Sequence, residues 1–257
     1  MTASLLLDAL RLPDRARMDK RVPKKMLLEH GAPTAADKRQ INQGIEQLRW
    51  VAALKPTTIG VPAYQDAARE YLEIAVITLA LRPGAKAARL TELVHRAVPY
   101  PLLLVTTQEP QLSLSLAHKR WSQGEAGKTV LDGKVMHAPL DGEPELGGPS
   151  EFQQALALAR QPRITMLALY QGWIDCLTAL LVARITGAFA LPESAERAAA
   201  LRQGLDTHAR LQRDIAALRA QADREKQVAR RVELNLEINA LKTELAAAET
   251  MLREVAQ

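Results

Sequence analysis

Gly124-Glu125-Ala126-Gly127-Lys128-Thr129 holds the ingredients of a phosphate-binding loop, in which backbone amides cradle phosphates and a lysine reaches the outermost one. That loop needs an earlier glycine where this chain has Ser122, and it must lead into a helix, whereas residues 130–136 read as a strand. A glycine-containing hairpin turn is therefore expected. His30, His95, His118, His137 and His208 are scattered with no pair at metal-ligand spacing, and His95 is expected to lie partly exposed on a helix. Cys176 sits alone in an apolar run, which excludes disulfides and points to a buried thiol. Asp66, Glu70 and Glu73 precede or enter a strand, as the carboxylates of a restriction-type nuclease would. The Glu-x-Lys that would complete such a magnesium site is absent, since Ile74 and Ala75 follow Glu73. The chemistry-bearing residues thus favour a protein without catalytic activity, metal or cofactor, with a metal-dependent nuclease kept as an alternative.

Charge gives a second class of candidate. Residues 1–60 hold 11 Lys/Arg against 6 Asp/Glu, while residues 61–192 hold 12 against 12 and residues 193–257 hold 11 against 11, so the whole +5 excess is N-terminal. Within it runs Arg15, Arg17, Lys20, Arg21, Lys24 and Lys25, interrupted by Pro23. Arg21, Lys24 and Lys25 are the candidates for gripping nucleic-acid phosphates, because each cation releases condensed counterions on binding. Aromatic residues are only 4% of the chain, which limits any reading based on base stacking.

Four segments position these residues. Residues 1–56 read as a helical, basic segment, with helices over 3–12 and 36–54; in the second, Ile41, Ile45, Leu48 and Ala52 recur at helical spacing. Residues 57–140 read as a small α+β sheet domain, with strands over 70–81, 102–107, 112–116 and 129–137 and a helix over 87–98. The glycines and prolines of 140–150 mark a boundary, and residues 150–192 supply core helices over 151–160 and 164–186. The second of these is long enough to cross a membrane, but Gln171, Asp175 and Arg184 favour a buried helix. No signal-peptide pattern opens the sequence, so a cytoplasmic location is expected.

Residues 193–257 lack glycine and proline after Gly204 and read as one long, coiled-coil-like helix. Such a helix needs a partner along its length. Leu211, Ile215, Leu218, Ala222, Ala229, Val232 and Leu236 follow alternating four- and three-residue steps, with Glu225 in one seam position, and Ile238, Leu241, Leu245, Ala248, Leu252 and Val255 follow the same steps in another register. Leu211, Ile215, Leu218, Val232, Ile238, Leu241, Leu245 and Leu252 are expected to drive oligomerisation. The register break coincides with a polar cluster, in which Glu225, Lys226, Gln227, Arg230, Arg231 and Asn235 are candidates for partner binding, Asn235 as a polar group near the seam.

Several stretches resemble a bacterial and archaeal family numbered 4391 among the domains of unknown function. They are Val22-Pro23-Lys24-Lys25, residues 45–59 with Trp50 and Lys55-Pro56-Thr57-Thr58, Leu72-Glu73-Ile74, Ala97-Val98-Pro99-Tyr100-Pro101, and Glu225-Lys226-Gln227 leading to Glu233-Leu234-Asn235. The family tends to carry an aromatic after the paired lysines, where this chain has Met26 and Leu27. The resemblance implies an accessory subunit of a restriction-like, anti-phage system, working beside a Swi/Snf-type helicase or a DNA methyltransferase, and carries over no catalytic residue. The expected architecture is α+β, a small mixed sheet with packed helices followed by a helical region ending in the long C-terminal helix. The expected function is a scaffold that assembles through that helix, as a homo-oligomer or with such a partner. Direct DNA binding through the basic segment is the alternative.

Overall fold

The computed structural model describes residues 1–30, 33–125, 127–140 and 150–256. The chain divides into two compact units, Met1–Leu177 and Thr178–Gln257.

The first unit is built on β5 (Ile74–Leu81), whose aliphatic, β-branched sequence suits a strand covered on both faces. Its neighbour β6 (Leu102–Gln108) runs parallel to it, in register from Ala75↔Leu102 to Ala80↔Thr107. Parallel strands need a crossover, and α5 (Ala87–Ala97) supplies it. On the other side of β5 lies β2 (Ile45–Leu54), antiparallel, with β1 (Arg17–Arg21) at the edge beyond it. Past β6 the sheet continues antiparallel through β7 (Gln111–Trp121) and β8 (Thr129–Pro139), giving the order β1-β2-β5-β6-β7-β8. A separate two-stranded ribbon joins β3 (Tyr64–Gln65) to β4 (Glu70–Tyr71). The fold is α+β around a mixed six-stranded sheet.

Helices cover both faces. On one, α2 (Lys24–His30), α3 (Ala35–Gly44) and α5 pack Leu27, Ile41, Leu90, Leu93 and Val94 against Ile77, Leu79 and Leu104. The other face meets the N-terminal half of α7 (Met166–Thr186), whose Tyr170 hydroxyl lies 2.8 Å from the Leu102 carbonyl oxygen and accepts from the Ala117 amide at 2.9 Å. Trp173 of the same helix donates to the Leu156 carbonyl, just past α6 (Glu151–Ala155), and the Leu158 amide donates to Leu10, just past α1 (Ala3–Ala9). Met166, Leu169, Tyr170, Trp173 and Leu177 are fully buried, so this half of the apolar α7 is core.

The N-terminal segment is not all helix. The helix expected over 36–54 ends at Gly44, where a β-carbon would stand 2.8 Å from Leu90, and residues 45–54 are strand β2. Local periodicity misleads there because pairing along the length of β5 outweighs a weak helical preference. β1 likewise brings Arg17, Lys20 and Arg21 of the basic run into the sheet. The expected strand over 70–81 is two elements, β4 and β5, and β7 extends five residues beyond 116. The glycine-containing hairpin turn lies where expected, with the Ser122 amide donating to Lys128 across it. Of the boundary loop expected over 140–150, residues 141–149 lie outside the described residues.

The second unit replaces one long helix with two. Ser194 caps α8 (Ala195–Arg224) by accepting from the Arg197 amide, and α9 (Val228–Ala256) follows after Glu225, Lys226 and Gln227. The helices run antiparallel: Ile215 and Ala222 pack with Leu234 and Ile238 near the turn, and Leu201 packs with Leu252 at the far end. The chain reverses at Glu225–Gln227, inside the first of the two registers read from the sequence, which carries Leu211, Ile215 and Leu218 on through the turn to Val232.

Candidate functional site

Part of the basic run, Arg17, Lys20 and Arg21, lies at the sheet edge in β1, while Lys24 and Lys25 open α2. All five residues of β1 are exposed, and Arg17, Lys20 and Arg21 give that edge a charge that blunts pairing with other chains. Arg21 is exposed and, among the described residues, in no ion pair. Lys24 is engaged, its Nζ donating to the carbonyls of Asn42 (3.2 Å) and Ile45 at the C-terminal end of α3. Arg82 joins it there, donating to Gln43 at 2.9 Å, so two cations satisfy the negative end of that helix. Partial burial, followed by the charges of Arg82 and Arg21, lowers the Lys24 pKa. Lys25 is exposed and pairs with Glu29 at 3.6 Å.

The carboxylates do not gather. Asp66 is held by the Tyr64 hydroxyl at 2.6 Å and by the Ala68 and Arg69 amides, and Glu73 pairs with Lys55 at 3.1 Å. Among the described residues no group of three or more His, Cys, Asp or Glu side chains is placed to hold a metal ion.

Two polar arrangements were not read from the sequence. In one, Tyr71 meets His118 Nδ1 at 2.5 Å, His118 Nε2 meets Gln171 Oε1 at 2.9 Å, and Gln171 donates to Asp175 at 2.8 Å. The amide orientation of Gln171 makes its oxygen the acceptor, so His118 carries its proton on Nε2 and accepts from Tyr71. These hydrogen bonds tie β4 and β7 to α7, and burial raises the Tyr71 pKa above the ordinary phenol value. In the other, Lys119 is 1% exposed and donates to the carbonyls of His95 and of Val98 (2.8 Å) at the end of α5. His95 is completely buried, contrary to the expectation of a surface position, and its Nε2 lies 2.9 Å from Ser115 Oγ. It faces the sheet because α5 is the crossover helix, with its Leu90-Leu93-Val94-Ala97 side packed inward. Sequence offered one signal, a histidine one position from the apolar face of an amphipathic helix.

A groove of about 990 Å³ opens between α5 and the β7–β8 hairpin, lined by Glu92, Arg96, Arg120, Lys128 and Lys134. Its charges are largely spent, since Arg96 pairs with Glu92 (2.6 Å), Arg120 with Asp132 (3.9 Å) and Lys128 with Glu125 (2.9 Å).

The residues expected to drive oligomerisation divide. Leu211, Ile215, Ile238 and Leu252 are buried within the second unit, and Leu218, Leu241 and Leu245 are half-buried against the same seam. Their partner helix is in the same chain. Val232 alone points away, 52% exposed, and with Val228 (66%) and Leu236 (65%) it forms a stripe at i, i+4 and i+8 on α9. At 3.6 residues per turn this stripe stands roughly 150° from the Leu234-Ile238-Leu241-Leu245 face. The candidate cluster surrounds it. Glu225 accepts from the Gln227 amide in the turn, Lys226 is exposed beside it, and Arg230 pairs with Glu233 at 2.7 Å. Arg231 and Asn235 are exposed, so Asn235 borders the outer stripe and does not set register inside the seam.

Neither the characterised proteins nor the solved structures compared with this sequence include a match. A family model, Domain of unknown function (DUF4391), matches residues 10–245, spanning the sheet and most of the hairpin, and the chain belongs to that family.

Proposed function

We propose that the chain is a non-enzymatic adaptor subunit of a bacterial DNA-targeting defence system, and that it docks a partner protein on the outer face of its C-terminal hairpin. The observation that carries this reading is the stripe of Val228, Val232 and Leu236, three large aliphatic side chains left in solvent by a helix whose other face is already buried. Apolar groups at this spacing are what an amphipathic helix offers to a groove or to another helix. Burying each is worth roughly 1.5–3 kcal/mol. Arg231 and the Arg230–Glu233 pair supply a charged border that selects a partner. The partner proposed is a Swi/Snf-type helicase or a DNA methyltransferase, with the sheet unit fixing the chain's place in the assembly.

Affinity purification of the tagged chain from its native host, with mass-spectrometric identification of what remains bound, tests the reading. Recovery of a helicase or methyltransferase in stoichiometric amount is expected. Recovery of the chain alone, or only of further copies of itself, overturns it.

A further inference from the structure

Tyr100 and Trp50 come from distant parts of the sequence and meet at one end of the α5-covered sheet face. Their ring centroids are 6.3 Å apart with an interplanar angle of 61°, an edge-on contact. Trp50 is half-buried against the core and its indole N–H donates to the Ala52 carbonyl at 2.9 Å. Tyr100 is different. It is 37% exposed, and among the described residues its hydroxyl has no hydrogen-bond partner. It is also the only aromatic among the large exposed hydrophobic side chains of the described residues.

Lys20 of β1 lies directly across the ladder from Trp50, and directly opposed residues share a face of the sheet. Among the described residues Lys20 and the next residue, Arg21, are in no ion pair. The one acid of this strand, Asp19, is taken by Arg49 at 3.7 Å. The end of the sheet therefore combines an exposed aromatic ring, a second ring set edge-on to it, and uncommitted positive charge in the part of the chain that holds the whole cationic excess.

We propose that Tyr100, supported by Trp50 and flanked by Lys20, is a stacking platform for single-stranded nucleic acid. The ring offers a π-face to an unpaired base, and Lys20 offers its ammonium to an adjacent phosphate. A single strand is specified because duplex bases are stacked on one another and cannot reach a ring. Nucleic acid is favoured over an acidic protein by the pairing of a flat exposed ring with unpaired cations. Tyrosine and tryptophan also anchor protein interfaces, and the test separates the two.

The full-length chain is titrated against fluorescently labelled oligothymidylate, oligouridylate and a duplex, reading anisotropy at low and at physiological salt. The expected result is binding of a single strand that weakens with salt, with the duplex bound more weakly. Whichever of the two single strands binds more tightly identifies DNA or RNA as the ligand. Tyr100→Ala is expected to weaken binding on the order of tenfold, and Tyr100→Phe to retain it. Lys20→Glu, on a fully exposed strand, is expected to weaken binding and flatten its salt dependence independently of any effect at Tyr100. Absence of binding at low salt, a duplex bound as tightly as the single strands, or binding unchanged by both Tyr100→Ala and Lys20→Glu overturns the proposal.

Discussion

Leu252 of α9 seats against Gly204 of α8 so closely that a β-carbon at position 204 would stand 2.6 Å from the leucine Cδ2 and 3.1 Å from its Cγ. This contact sets the approach of the two helices at the end away from the turn. Gly204→Ala therefore sets two effects against each other. Alanine in a helix interior gains up to about 1 kcal/mol over glycine, but overpacking costs roughly 1–3 kcal/mol. Because the clash reaches the branched Cγ as well as the tip of the side chain, overpacking is expected to prevail and the urea midpoint to fall. In a Leu252→Ala background the same substitution is expected to stabilise, and this reversal of sign is the measurement that checks the contact.

The two faces of α9 predict opposite behaviour. Ile238→Ala and Leu252→Ala each remove a side chain buried between the helices and are expected to cost about 2–5 kcal/mol. Polar substitutions at Leu241 and Leu245 are expected to lower the melting temperature and the helical circular dichroism. Val232→Ser and Leu236→Ser lie in solvent and are expected to change stability by no more than about 0.5 kcal/mol. Thermal melts of these variants side by side separate a seam within the chain from a seam between chains.

Two buried groups on the same packing layer give a pH dependence whose sign follows from linkage. Burial, then the charges of Lys119 and His137, pulls His95 down from 6.5 to about 3, so below pH 6.5 the unfolded chain binds a proton that the folded chain refuses. Stability is expected to fall as pH drops through that window. Burial pulls Lys119 down from 10.5 to about 8, so between those values the unfolded chain keeps a proton that the folded chain has lost, and stability is expected to rise with pH. Urea midpoints across the range check both slopes. Lys119→Met should flatten the alkaline slope, while also lowering stability throughout because two carbonyls at the end of α5 lose their donor.

Lys24 and Lys25, adjacent and chemically alike, are expected to respond differently. Lys24→Ala removes hydrogen bonds to the C-terminal carbonyls of α3 and is expected to cost roughly 1–2 kcal/mol. Lys25→Ala loses only an exposed ion pair and is expected to be nearly neutral. Equilibrium unfolding of the two single variants checks the difference.

What was legible in the sequence followed from patterns with one physical solution. The aliphatic run of β5, the amphipathic α5 and the second strand after Pro101 were legible as elements of a mixed sheet with a packed helix, whereas the parallel pairing of β5 with β6 was not. Residues 45–54 were misread because Ile45, Leu48 and Ala52 also satisfy a helical period, and only the partner strand decides between them. The place where α8 ends lies inside the polar cluster read from the sequence, but the first register passes through Glu225 to Val232 and Leu236 without a break, so the turn itself was not legible. A register change is compatible with a continuous helix that shifts its packing face and with one that turns back, and no glycine or proline marks the turn. Of the candidate sites, Arg21 and most of the tip cluster are exposed, but Asn235 lies on the outer side of α9 and not near the seam. Lys24 was lost to a helix end supplied by a segment 18 residues away, and the Trp50–Tyr100 contact depends on strand order, which local spacing does not encode.

The most direct test of the adaptor reading compares affinity purifications of the wild-type chain and of Val232→Glu/Leu236→Glu, both confirmed by circular dichroism to keep their helicity and melting temperature. The account predicts that a helicase or methyltransferase co-purifies with the wild type and is lost from the double variant. Recovery of the same partner in the same amount by both chains would contradict it.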